Sequence, residues 1–102
     1  MTDKLISFLG ICNRAGKITF GYDRTEKAVL SNTAELIITA SDFSNKSFDK
    51  LNRMCSEKNI PLIKVNYTTD ELYFLLSYRA GVIGITDKGF AERIKQLLQN
   101  EK

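Results

Sequence analysis

Two hydrophobic periods alternate along the chain. Leu5, Phe8, Leu9 and Cys12 recur at helical spacing, with Ile6 widening the stripe, which predicts an amphipathic helix. Thr2 or Asp3 can cap it, and Gly16 after Ala15 should end it. Ile18-Thr19-Phe20 then reads as a short extended piece. A second helix follows over about 23–31, with Asp23 as its N-cap, Glu26 placed to complete a capping box, and Ala28, Val29 and Leu30 to dock on a core. Ser31-Asn32-Thr33 is a turn cluster.

Glu35-Leu36-Ile37-Ile38-Thr39-Ala40 is short, apolar and β-branched, the pattern of a buried strand. A loop over 41–45 leads to a third helix from about Ser47 to Lys58, with Phe48, Leu51, Met54 and Cys55 inward and Asn59 ending it. Pro61 opens a strand over Leu62-Ile63-Lys64-Val65. Thr68-Thr69-Asp70-Glu71 marks a helix start, with Leu72, Leu75 and Leu76 as the apolar face. Ser77-Tyr78-Arg79-Ala80-Gly81 is a connector to a strand over Val82-Ile83-Gly84-Ile85. Thr86-Asp87 caps a last helix that buries Phe90, Ile94, Leu97 and Leu98, and the polar tail from Gln99 to Lys102 should fray. Strands alternating with helices imply βαβ units and a mainly parallel sheet covered on both faces, an α/β fold built as a small three-layer α/β/α sandwich.

Composition narrows the function classes. The 102 residues are 43% hydrophobic and 26% charged, as in one globular domain spanning residues 1–102. The net charge of +3 permits a polyanionic partner without demanding one. Cys12 and Cys55 lie inside apolar helical patterns and read as buried reduced thiols. No apolar run reaches the length of a membrane span, and Asn13 and Arg14 break the N-terminal pattern well short of a secretory signal. The expectation is a soluble cytoplasmic protein.

The chemistry available to catalysis is thin. With no histidine, the commonest general base and metal ligand is missing. The cysteines have no paired spacing, and neither GxGxxG nor GxxxxGK[ST] occurs. Asp42 and Asp87 follow strands, where α/β enzymes often place acids, but Asp87 is better placed as a cap and Asp42 as a loop-ordering side chain. No enzyme, cofactor or metal site is expected.

The stretch from Lys17 to Lys27 points elsewhere. A helix start there offers open N–H groups, and Arg14, Lys17, Arg24 and Lys27 gather against only Asp23 and Glu26. Such a corner suits a polyanion, although the same charges also suit a plain solvated face. In the connector, Tyr78 and Arg79 could stack on an unpaired base, or Tyr78 could lean on the core edge. Asn66-Tyr67 is a weaker case of the same kind, and Lys46 and Lys50 read as the solvated face of the third helix.

Taken together, Ala15-Gly16-Lys17, Gly21 through Ala28, Ile37 through Asp42, Asn59-Ile60-Pro61 and Gly84 through Ala91 resemble a known family over nearly the whole chain. It is the kink-turn RNA-binding ribosomal proteins of the large-subunit "L-seven-Ae" type, most similar to the small bacterial members of the YlxQ type. The resemblance implies a four-stranded mixed sheet in an α/β/α sandwich and a single ribosomal-protein-like RNA-binding domain. It implies structured RNA as partner, ribosomal RNA or a kink-turn-like motif, with ribosome or translation-related proteins nearby and the chain itself a monomer. In the family the second helix enters the widened major groove of a kinked duplex. A glycine, an asparagine two positions on, a glutamate next and a lysine three further carry the contact. Gly21 and Lys27 match the glycine and the lysine, whereas Asp23 stands for the asparagine and Arg24 for the glutamate. Asp23 can only accept and Arg24 can only donate, which reverses the polarity of the base-reading pair. A bidentate base contact is worth about 1–3 kcal/mol, enough to retarget selectivity. The candidate RNA-binding set is therefore Arg14, Lys17, Gly21, Tyr22, Asp23, Arg24 and Lys27, with Arg79, Ala80 and Gly81 as a second contact in a connector that is short for covering a protruding bulge. Alternatives are a protein-interaction module that has lost kink-turn recognition and a small-ligand or phosphate-binding domain.

Overall fold

In the computed structural model, which describes residues 4–99, nine elements follow one another. They are α1 (Lys4–Arg14), β1 (Ile18–Phe20), α2 (Tyr22–Leu30), β2 (Leu36–Thr39), α3 (Asn45–Glu57), β3 (Leu62–Lys64), α4 (Thr69–Leu76), β4 (Val82–Ile85) and α5 (Lys88–Gln99). The two central strands are buried at every position, as continuous apolar runs must be when helices cover both faces. Leu36, Ile38, Ile83 and Ile85 face α1, α4 and α5 in one core cluster. Ile37 and Val82 face α2 and α3 in the other. The three layers expected from the chain pattern are present.

The sheet order is β1-β4-β2-β3, and its directions are mixed. Only β2 and β3 pair in parallel; β4 runs antiparallel to both β1 and β2. The mainly parallel sheet read from the alternation of elements is thus corrected, while the mixed sheet implied by the resemblance is observed. The cause lies in the last crossover. The eight residues of α4 and the connector bring the chain back to the end where β3 stopped: Ala40 N–H donates to Gly81 O at 2.9 Å. From there β4 can only run the other way, in the slot between β1 and β2.

Helix starts differ in instructive ways. Gly21, not Asp23, is the N-cap of α2, at φ 95° and with no side-chain cap. The chain stays on the sheet through Gly21, whose N–H donates to Val82 O at 3.0 Å, and must turn at once into the helix. That turn needs a positive φ that glycine alone tolerates cheaply, and it leaves Asp23 already inside the first turn. The capping box forms at α4 instead, where Glu71 Oε1 accepts from Thr68 N–H at 2.8 Å and Thr68 Oγ1 from Glu71 N–H at 3.1 Å. Ser44 caps α3, which begins at Asn45, two residues before the expected start at Ser47. Asp87 Oδ1 accepts from Phe90 N–H at 2.8 Å, a cap as expected. Leu75, expected inward, is instead exposed. The proposed caps of α1 at Thr2 or Asp3, and the tail beyond Gln99, lie outside the described residues.

Candidate functional site

Helix α2 is pressed onto the sheet by small groups. Thr19 Oγ1 and Thr25 Oγ1 share a hydrogen bond of 3.0 Å between β1 and α2. Gly84 lies beneath them, where an added Cβ would meet Thr19 Oγ1 at 2.5 Å. Thr25, Ala28 and Val29 face in, which turns Asp23, Arg24, Lys27 and Leu30 out to solvent. Asp23, Glu26, Lys27, Leu30 and Ser31 line a shallow open groove on this side.

The connector between α4 and β4 lies beside the start of α2, because β1 and β4 are paired through Phe20 and Ile83. The Tyr78 ring stacks on Phe20 with centroids 4.2 Å apart and planes 11° from parallel. The expected stretch around Gly21 and the connector, 50 residues apart or more in sequence, thereby form one surface. Not every connector residue faces outward. Arg79 is exposed but already engaged: its guanidinium binds Asp70 at 2.5 Å and lies over the Tyr73 ring at 5.3 Å. Ala80 is 7% exposed, so its side chain packs inward. Gly81 is held against Phe43, whose ring would stand 2.9 Å from an added Cβ.

Three parts of the chain carry the four cations: Arg14 ends α1, Lys17 precedes β1, and Arg24 and Lys27 lie on α2. Lys17 O accepts from Thr86 N–H at 3.0 Å, at the far end of β4 from Gly21. Four residues of extended chain put about 13 Å between the two ends. Helix α2 runs back along β1, since Glu35, after its C-terminal turn, bonds to Ile85 at that same end. Arg24 therefore lies toward the Gly21 end of β1, and Lys27, nearly one turn further along α2, toward the end where Lys17 stands. Tyr22 points inward to the α2–α3 seam, with its hydroxyl buried and without a hydrogen-bond partner.

Sequence reasoning placed Lys50 on the solvated face of the third helix and outside the candidate site. Its ammonium sits 3.9 Å from Glu26 and 5.9 Å from the Tyr22 ring centre, so α3 lends a cation to the flank of α2 and offsets one of its two carboxylates. Helical spacing marked Lys50 as outward, but only the packing of α3 on α2 says what it faces. Neither buried cysteine is held as a thiolate. Burial pushes the Cys55 thiol up to about 11, and burial, with the charge of Asp87, does the same at Cys12. No helix among the described residues is long and apolar enough to cross a membrane.

Comparison with known proteins places this geometry in context. The model of the "Ribosomal protein L7Ae/L30e/S12e/Gadd45 family" matches residues 3–95. The chain is 30% identical over 95 residues to the RNA-binding protein YlxQ of Bacillus subtilis (strain 168), covering 88% of this chain and 90% of that protein. It is 26% identical over 96 residues to the RNA-binding protein YlxQ of Enterococcus faecium, covering 94% and 92%. Among solved structures, a protein with unknown function from Bacillus halodurans C superposes with a TM-score of 0.90 at 28% identity, over 97% of this chain and all of that one. A Giardia lamblia 15.5kD RNA binding protein superposes with a TM-score of 0.75 over 97% of this chain and 88% of that one, and at 17% identity this likeness shows the fold alone.

Proposed function

Because the chain belongs to the ribosomal protein L7Ae/L30e/S12e/Gadd45 family, we propose that residues 1–102 form a non-enzymatic, cytoplasmic RNA-binding domain that takes structured RNA. The observation that carries the reading is the joined surface of α2 and the connector, with Arg24 and Lys27 turned outward and an aromatic face beside them. The curated relatives named as RNA-binding proteins support it along nearly their whole length.

In this reading Gly21 lets the RNA backbone approach closely. Lys27 neutralises a phosphate, Arg24 reaches a base edge or a second phosphate, and Lys17 and Arg14 extend the track along the edge strand. Lys50 keeps Glu26 from opposing the polyanion. Tyr78 offers its outer ring face, and Arg79 must exchange Asp70 for RNA to take part. Tyr22, Ala80 and Gly81 hold the surface in shape. An A-form duplex hides its major groove, so an RNA opened by a bulge, internal loop or kink is the ligand class that fits a helix face. Asp23 and Arg24 argue against the standard kink-turn pair of base contacts and for a different base preference at the same helix.

The test is a filter-binding titration of ribosomal RNA fragments and a kink-turn RNA. We expect binding whose logarithm falls with log salt at a slope near −3, for about four phosphate contacts, and a clear loss of affinity in Lys27→Ala with the fold intact. Equal affinity for the wild type and Lys27→Ala would remove this site. Silence toward every structured RNA, with capture of a protein partner, would establish the interaction-module reading instead.

A further inference from the structure

Phe74 is 85% exposed, the most open large apolar side chain among the described residues. Tyr73 and Leu75 beside it are 49% and 44% exposed, so α4 turns three consecutive apolar residues outward and buries only Leu72 and Leu76. Phe74 and Leu75 join Tyr67, Asp70 and Glu71 around an open groove of about 360 Å³. A second groove of about 360 Å³ lies between α1 and α5. Phe8, Ile11 and Leu97 form its apolar part, and Lys4 and Arg93 stand on its rim. Ile11 is itself 44% exposed. One surface is apolar with Asp70, Glu71 and the Asp70-bound Arg79 at its edge, leaving one negative charge in excess; the other is apolar with cations at its edge.

Both surfaces belong to the same helical layer, because α4 and α5 each pack against α1. We propose that the chain self-associates through them, with Phe74 of one copy seated in the α1–α5 groove of a second copy. Glu71 and Asp70 then face Lys4 and Arg93 across the contact. Glu71 carries more of this charge match, since Asp70 is already neutralised by Arg79, whereas Glu71 accepts only from the neutral Thr68 N–H and keeps its charge. The opposite signs of the two rims favour a second copy of this chain over a partner of some other kind, and burying an exposed aromatic anchor in an apolar pocket is how compact interfaces gain most of their strength. With both surfaces in one layer, a two-fold operator can make the contact twice and close a dimer rather than leave an open chain. This self-association stands independently of RNA binding and departs from the monomer expected from the resemblance.

Sedimentation equilibrium of the full chain over a concentration series tests it. We expect a reversible monomer–dimer equilibrium that weakens as salt rises. Phe74→Glu and Ile11→Glu should each lose the dimer, and an equimolar mixture of the two should recover 1:1 association, weaker than that of the wild type, because one of the two contacts then joins an intact anchor to an intact groove while the other is lost. Arg93→Glu, at the rim, serves in place of Ile11→Glu should that variant fail a circular dichroism check. A wild-type chain that stays monomeric at every concentration would overturn the proposal. So would dimerisation of Ile11→Glu, or of Arg93→Glu, as strong as that of the wild type, which would mean that α4 meets α4.

Discussion

The rings of Phe20 and Tyr78 lie face to face at 4.2 Å. Phe20 is the last residue of β1, immediately before the turn at Gly21, and Tyr78 belongs to the connector that leads into β4. The stack and the hydrogen bond from Gly21 N–H to Val82 O hold the start of α2 and the connector together from two sides. Tyr78 does lean on the core edge, yet half of its surface stays open. The ring that braces the site is thus also available to a ligand.

Replacing Tyr78 should separate these two roles. An aromatic pair contributes about 0.5–1.5 kcal/mol beyond its buried area, so Tyr78→Ala should destabilise the chain by about 1–2 kcal/mol, whereas Tyr78→Phe should stay within about 0.5 kcal/mol. For a domain near 100 residues each kcal/mol lowers Tm by about 4–8 °C. Thermal and urea unfolding of both variants check this. An alanine variant as stable as the wild type would show that the stack does not brace the connector.

Gly84→Ala should be the costlier change although it adds one methyl group. The new Cβ would stand 2.5 Å from Thr19 Oγ1 and 3.4 Å from Thr25 Cγ2, so the hydroxyl pair must break or α2 must lift from the sheet. Overpacking of this kind costs about 1–3 kcal/mol. Because Arg24 and Lys27 ride on the displaced helix, RNA affinity should fall along with the urea midpoint. Retained stability would mean that Thr19 simply rotates away.

Much of the fold was legible because hydrophobic period decides it locally. The run from Leu36 to Thr39 and the run from Val82 to Ile85 are apolar at every position or nearly so, and both are central buried strands. The direction of β4 was not legible, because it depends on where α4 and the connector return the chain, a matter of three-dimensional closure rather than residue type. Asp23 misled for a similar reason: as a residue it is a good cap, but the bond from Gly21 to Val82 forces the turn two residues earlier. Of the site, the inward Ala28 and Val29 of α2 were legible, but Leu30, expected to dock on the core with them, is 56% exposed. The stack of Tyr78 on Phe20, the burial of Ala80 and the reach of Lys50 to Glu26 all cross between elements, and no local pattern records them.

Acid should loosen the connector side of the site first. Asp42 Oδ1 accepts from the backbone N–H and from the hydroxyl of Thr69, each at 2.9 Å, and so pins the loop after β2 to the start of α4. These bonds, that of the Thr69 N–H foremost, hold the Asp42 carboxyl below its ordinary value of 3.8. A depressed folded-state pKa means that the unfolded chain binds the proton more readily, so stability rises with pH through this window. The contribution is complete above the ordinary value and disappears as pH falls through the folded one. Asp42→Asn keeps an acceptor oxygen but removes the charge and the titration. It should be less stable than the wild type at neutral pH and should show a flatter acid limb, with the two curves converging at low pH. Urea midpoints measured from about pH 2 to 7 read this directly, and parallel curves for the two proteins would mean that the Asp42–Thr69 pair does not couple to folding.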